Sequence, residues 1–188
     1  CGLRGKEITI SDIVFKIGPR INASGRMQSG KEAVDLLVSK DASTAMKKSH
    51  DINQYNEDRK ELDKKVTEEA SCLLEQQSDF EKSIVIYNAE WHKGIIGIVA
   101  SRLTELYYRP SVVLTFSNGL VTGSARSVQG FDVYKAVESC RDLLENFGGH
   151  TYAAGLSLRE ENVVSFIDRF ESYVSENILL EQTSPQID

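Results

Sequence analysis

From residue 42 to residue 77 the chain carries neither glycine nor proline. Its few apolar residues there, Ile52, Tyr55, Leu62, Val66, Ala70, Leu73 and Leu74, fall mostly three, four or seven positions apart. That spacing predicts one long helix, opening near 42–44, with a thin apolar stripe between flanks of Lys, Glu, Asp, Asn and Gln. Such a helix reads either as a connector packed along one side or as a coiled-coil arm. The pattern changes beyond it, so a domain boundary is expected near Ser78-Asp79.

Ahead of the helix, ISDIVFKIGPR (10–20) is apolar enough for a short helix or strand that stops near Gly18-Pro19. INASGRMQSG (21–30) is rich in loop formers. Ser29 and Glu32 then have capping-box spacing, which predicts a helix over 30–39 with Ala33, Leu36 and Leu37 inward. Past the boundary, short apolar runs alternate with helical patterns. Strands are expected at 83–87, 111–116, 120–127 and 153–158, with Ser117-Asn118-Gly119 turning a hairpin. Helices are expected at 94–106 (Ile95, Ile98, Val99, Leu103 inward), 131–146 (Val133, Val137, Leu144) and 160–173 (Val163, Phe166, Ile167, Phe170). The order β-α-β-β-α-β-α predicts an α/β fold, a mixed sheet covered by helices. Residues 176–188 read as a frayed tail or the start of a linker.

With 188 residues, 40% hydrophobic and 27% charged, the composition is that of a globular protein rather than a disordered one. No apolar run approaches the ~20 residues a membrane helix needs, and CGLRGKEITI is not a signal peptide, so a cytoplasmic location without membrane association is expected. A first residue of Cys suggests an excised fragment or a processed protein. Cys1, Cys72 and Cys140 have no metal-ligand spacing, and the latter two read as buried thiols. A net charge of -6 argues weakly against a nucleic-acid partner, yet the charge is uneven: residues 91–130 hold Lys93, Arg102, Arg109 and Arg126 against Glu105 alone. An acidic body can still present a local basic surface to a phosphate.

Three runs carry candidate chemistry. In FGGHTYAAG (147–155), Gly148 and Gly149 permit positive φ or close approach of a ligand to backbone, and His150 follows as donor or acceptor. The same pattern also suits a tight turn beside a core histidine. In AEWHKGIIG (89–97), Trp91 offers an apolar platform and His92 a polar group, at the entry to a helix whose free N–H groups attract anions. Alternatively Trp91 caps the core and the glycines serve packing. In TGSARSVQG (122–130), Ser124 and small neighbours give Arg126 room to meet a phosphate bidentately, or simply to neutralise an acid. The repeated design of a polar or cationic residue among small ones suits a phosphodiester. No carboxylate cluster completes a two-metal hydrolytic centre. The His50-Asp51 pair lies on a polar helix and reads as solvated surface.

GPRINASGRM (18–27), WHKGIIGIVASRL (91–103), GSARSVQGFDVYKA (123–136) and FGGHTYAAGLSL (147–158) together resemble the C-terminal part of the catalytic core of RecJ-type single-strand-specific DNA exonucleases, in the DHH phosphoesterase superfamily. The resemblance implies a preceding DHH domain that holds two Mn²⁺ or Mg²⁺ ions, a long connecting helix and a DHH-associated domain, with single-stranded DNA hydrolysed from its 5′ end. By that likeness residues 1–42 end the DHH domain and include Arg20, Asn22 and Arg26 facing substrate or the interdomain cleft. Residues 43–78 are the connector, and 79–175 the associated domain, where His92, Ser124, Arg126, Gly148, Gly149 and His150 face phosphate. The DHH run and its metal-binding aspartates are missing, so the fragment alone is expected to be inactive and to bind no metal. The implied partners are single-stranded DNA, the DHH domain in cis and replication or repair proteins. The alternatives are a phosphodiesterase of short RNA or dinucleotides, and a non-catalytic nucleic-acid-binding module.

Overall fold

The computed structural model describes residues 2–3, 5–75 and 82–184. The boundary expected at Ser78-Asp79 lies outside them. The chain divides into two compact units, residues 1–64 and 65–188, and one helix runs through both.

In the first unit, α1 (Ile10–Asp12) leads through a π-helical stretch, Ile13–Ile17, into α2 (Gly18–Met27), followed by α3 (Gly30–Leu37). Helix therefore continues through Gly18-Pro19 and across the segment expected to be loop. Pro19 follows directly on the π-helical stretch, which the Gly18 N–H closes on the Ile13 carbonyl, so the ladder is already irregular where Pro19 lacks an N–H, and Ala23 and Ser24 are buried where α2 packs on α3. Ser29 caps α3 by accepting from the Lys31 N–H at 3.3 Å, but Glu32 takes Lys48 instead of closing the capping box. Of the expected inward residues of α3, Ala33 is buried, Leu36 half-buried and Leu37 exposed.

The long helix α4 spans Ala42–Glu75. Ile52, Val66 and Ala70 are buried as the stripe predicts, whereas Leu73 is exposed. Asn56 and Asp63 are buried on the same stripe, and Arg59 faces Asp63 at 4.0 Å. Cys72 is exposed rather than buried, because it lies off that stripe; His50 is exposed as expected.

The second unit is built on a five-stranded sheet of order β1-β2-β3-β5-β4: β1 (Ile84–Tyr87), β2 (Ser111–Ser117), β3 (Leu120–Arg126), β4 (Leu144–His150) and β5 (Ala153–Leu158). β1 and β2 are parallel and the other pairings antiparallel, giving the mixed sheet expected. Asn118 and Gly119, at φ 55 and 82, turn the β2–β3 hairpin in the mirror-image geometry that suits strand twist. β4 stands where the sequence pattern predicts the second half of a helix. Helix α6 covers only Val133–Glu138, capped by Asp132, and a short turn at Arg141–Leu143 then feeds β4. Pairing with β5 favours extension here, because Leu144 and Phe147 reach the core face and Phe147 meets Tyr134 at 5.9 Å between ring centres.

Alternate residues of these strands meet different layers. Val112, Leu114, Val121, Ala125, Ala154, Leu156 and Leu158 form the main core with α6 and with α7 (Val163–Asn177), which contributes Val163, Phe166, Phe170 and Val174. Cys140 is buried in this core, and burial raises its thiol pKa, which suits an inert packing group. On the opposite face α5 (Ile96–Tyr107) lies over β2 and β3, with Ile95, Val99 and Leu103 fully buried. α7 runs four residues past its expected end, and residues 180–183 form a further turn where a frayed tail was expected.

Candidate functional site

Beyond the reach of α5, its face of the sheet lies open. Register places Arg126 of β3, Ala153 of β5 and His150 of β4 in one cross-strand row; the next rows hold Ser124, Gly155 and Gly148, then Thr122, Ser157 and Asn146. Directly opposed residues point to the same side of a sheet, so all nine share this face. Asn146, Gly148, His150 and Gly155 are exposed, and Ser124, Arg126, Ala153 and Ser157 half-buried. The result is a shallow polar floor of small residues, with a cation on one side of its end row and an imidazole on the other, about 10 Å apart at two strand spacings.

Arg126 is fixed from two directions. Its Nη1 donates to Ser124 Oγ at 3.0 Å and to the Ala125 carbonyl at 2.8 Å. Its Nη2 lies over the first turn of α5: a β-carbon on Gly97 would come within 2.9 Å of both Arg126 Nη2 and Ser124 Oγ. Gly97 is thus the seat of the guanidinium. No side chain caps α5, so the positive end of its dipole and the Arg126 cation stand together. The N-terminus of a helix and a guanidinium both favour an anion.

Both histidines are held by the same local device. The Gly94 N–H donates to His92 Nδ1 at 3.1 Å, and the Tyr152 N–H donates to His150 Nδ1 at 3.3 Å. With Nδ1 engaged by backbone in each case, Nε2 is the ring nitrogen left for a ligand. His92 sits in the turn that opens α5, and His150 at the exposed tip of the β4–β5 hairpin.

The glycines of FGGHTYAAG divide by face. Gly149, at φ 156, would drive a β-carbon to 2.3 Å from the Ala153 carbonyl oxygen and 2.5 Å from Ala154 Cα, so packing demands glycine there. A β-carbon on Gly148 would meet nothing within 4 Å, and one on Gly155 only the Gly123 carbonyl at 4.0 Å. Internal packing does not require glycine at either position; what it does is keep the floor bare.

The structure thus joins 91–97 to 123–126 through Gly97 and Arg126, and places 148–150 in the adjoining rows. FGGH belongs to a strand rather than a loop. Trp91 is no platform for a ligand: it is 4% exposed, with its Nε1 donating to Glu69 Oε2 at 2.9 Å. In the first unit, Arg20 turns to α4, giving Nε to Asn53 Oδ1 at 2.5 Å, while Asn22 and Arg26 are exposed one turn apart on α2. Gly97 and Gly155, glycines of the runs 89–97 and 147–155, complete the face together with Ser157 and Asn146, which the sequence did not single out. The small residues at alternate positions 153, 155 and 157 are the pattern that marks it. Among the described residues no group of three or more His, Cys, Asp or Glu is arranged to hold a metal ion. No helix among them is long and apolar enough to cross a membrane.

Residues 81–176 match the DHHA1 domain family. The chain is 39% identical over 178 residues to the single-stranded-DNA-specific exonuclease RecJ of Bacillus subtilis, covering 94% of this chain and 22% of that protein. The chain therefore spans about a fifth of the length of that relative. Its fold superposes on the crystal structure of Mg²⁺-bound RecJ from Thermus thermophilus with a TM-score of 0.82 and 32% identity, covering 93% of this chain and 27% of that one. An exonuclease RecJ bound to manganese gives a TM-score of 0.75 at 32% identity, over 91% and 44% of the two chains.

Proposed function

The chain belongs to the DHHA1 domain family, and on that premise we propose that it is the substrate-gripping part of a single-stranded-DNA-specific exonuclease acting from the 5′ end. The carrying observation is the bare floor of Gly148 and Gly155 beside an arginine that shares the positive end of α5. A phosphodiester laid there receives the Arg126 fork, the Ser124 hydroxyl and Nε2 of His92 and His150, while Gly148 and Gly155 let its backbone lie close to the sheet. Arg126 neutralises charge on the phosphate; the histidines orient it.

In this reading residues 1–42 end a DHH domain, 43–78 connect, and the associated domain begins at 79 and includes all of α7 and Ile178, which lies in its core. Asn22 and Arg26 contact substrate from the first of these, and Arg20 pins α2 against α4. The residues described here do not fit a two-metal centre. By the family likeness the Mn²⁺ or Mg²⁺ ions of the full-length enzyme belong to a DHH domain, and this chain by itself is expected neither to bind them nor to hydrolyse DNA. Its place is the cytoplasm, with single-stranded DNA, a DHH domain in cis and replication or repair proteins as partners.

The test is Arg126→Ala in the full-length enzyme. Losing its charged hydrogen bonds, worth about 1.5–3 kcal/mol, lowers kcat/KM on single-stranded DNA by roughly 10–100-fold while the thermal midpoint changes little. Unchanged kinetics would remove Arg126 from the site. A wild-type preference for dinucleotides over longer DNA would replace the exonuclease by a short-oligonucleotide phosphodiesterase.

A further inference from the structure

We propose that Tyr152 is a stacking platform for a nucleobase of the bound strand. The inference rests on the reading of the open face as the phosphodiester site and adds a base contact to it.

Tyr152 is the second residue of the two-residue turn between His150 and Ala153, the pair that closes the row of Arg126. Its backbone is held on both sides: the N–H donates to His150 Nδ1 at 3.3 Å, and the carbonyl accepts from the Ser127 N–H at 3.1 Å. The preceding carbonyl, of Thr151, accepts from the Val133 N–H at 3.0 Å, so the hairpin tip is tied to the end of β3 and the start of α6. The side chain is left out of this framework. It is 52% exposed, and among the described residues the ring has no aromatic neighbour and the hydroxyl no hydrogen-bond partner. A large amphipathic ring on a pinned backbone, one residue from the phosphate row, has the rigidity and reach that stacking needs, and it loses little conformational freedom on binding. Every base has a π-face, so this contact holds the strand without reading its sequence. Trp91, the aromatic nearest to the other histidine in sequence, is buried and unavailable for this role.

The experiment uses the full-length enzyme with divalent metal withheld by EDTA, so that binding is read without cleavage, and a 5′-phosphorylated oligodeoxythymidylate as probe. Tyr152→Ala weakens binding about tenfold and Tyr152→Phe, which keeps the ring, by less than about twofold. A series of probes with one abasic site moved along the strand then finds a position where the wild type loses about tenfold and Tyr152→Ala loses nothing further. Wild-type affinity in Tyr152→Ala, or losses that add at every abasic position, overturns the stacking contact. Arg126→Ala run beside it separates the two ideas. Weakened binding there with Tyr152→Ala unaffected sinks only the stacking role, whereas two unaffected variants sink the reading of the face as well.

Discussion

The strands β3, β5 and β4 present two faces made from neighbouring residues of the same three segments, and the faces have opposite fates. On one side Val121, Ala125, Ala154, Leu156, Leu158 and Phe147 are sealed beneath α6 and α7. On the other, Thr122, Ser124, Arg126, Gly155, Ser157, Asn146, Gly148 and His150 form a floor that no large apolar residue crosses. A one-residue step along a strand separates them, since strand side chains alternate. The difference separates the two reasons a strand keeps glycine. Gly149 and Gly123 are required from within: a β-carbon on Gly123 would lie 2.5 Å from Leu114 Cδ2, as one on Gly149 would strike β5. Gly148 and Gly155 face space, and what they accommodate comes from outside.

The sealed face is where stability is concentrated, and Phe166→Ala breaks it hardest. The ring is fully buried and stacks on Phe170 at 5.7 Å, so its loss costs about 3–5 kcal/mol in chemical unfolding of the chain. A loss below about 1 kcal/mol would show that α7 is not integral to the core. Gly149→Ala comes next. A methyl group must displace backbone of β5 at a φ that side chains rarely adopt, and about 2–3 kcal/mol is expected from strain, read in the same measurement. An unperturbed unfolding curve would mean that the β4–β5 pairing yields easily, and the distinction between the two kinds of glycine would collapse.

Local pattern foretells much of this fold, and the failures share a cause. The long helix, the β2–β3 hairpin, β5 and the stripe of α7 are set by signals within one segment. β4 is not: LENFGGH combines a helix-compatible start with two glycines, and it extends because β5, later in the chain, accepts its hydrogen bonds. Likewise α2 contains Gly18, Pro19, Asn22, Ser24 and Gly25, each a poor helix former, and forms where Ala23 and Ser24 pack on α3. Partners distant in sequence override propensity in both cases. In the candidate site, Arg126, Ser124, His92 and His150 stand out as polar residues among small ones. The seat that Gly97 gives Arg126, the shared Nδ1 device of the histidines and the burial of Trp91 all depend on register and on side-chain geometry that composition does not encode. Asn56 and Asp63 teach the same lesson on α4, where the buried stripe holds polar residues at positions that polarity alone would assign to solvent.

The smallest change is the most discriminating. Gly148→Ala places one methyl group on the open face, one residue from Gly149, in the same strand and the same hairpin. With nothing within 4 Å of that position, unfolding should move by no more than about 0.5 kcal/mol, and in the stabilising direction if anything, since alanine gives up less backbone freedom than glycine on folding. Binding should respond differently. A methyl group standing on the floor lifts a closely laid phosphodiester away from the Arg126 row, so affinity of the full-length enzyme for single-stranded DNA falls although the fold is intact. Equal tolerance in both measurements would mean that Gly148 is bare without purpose, and the open face would then be nothing more than the side of the sheet that α5 is too narrow to cover.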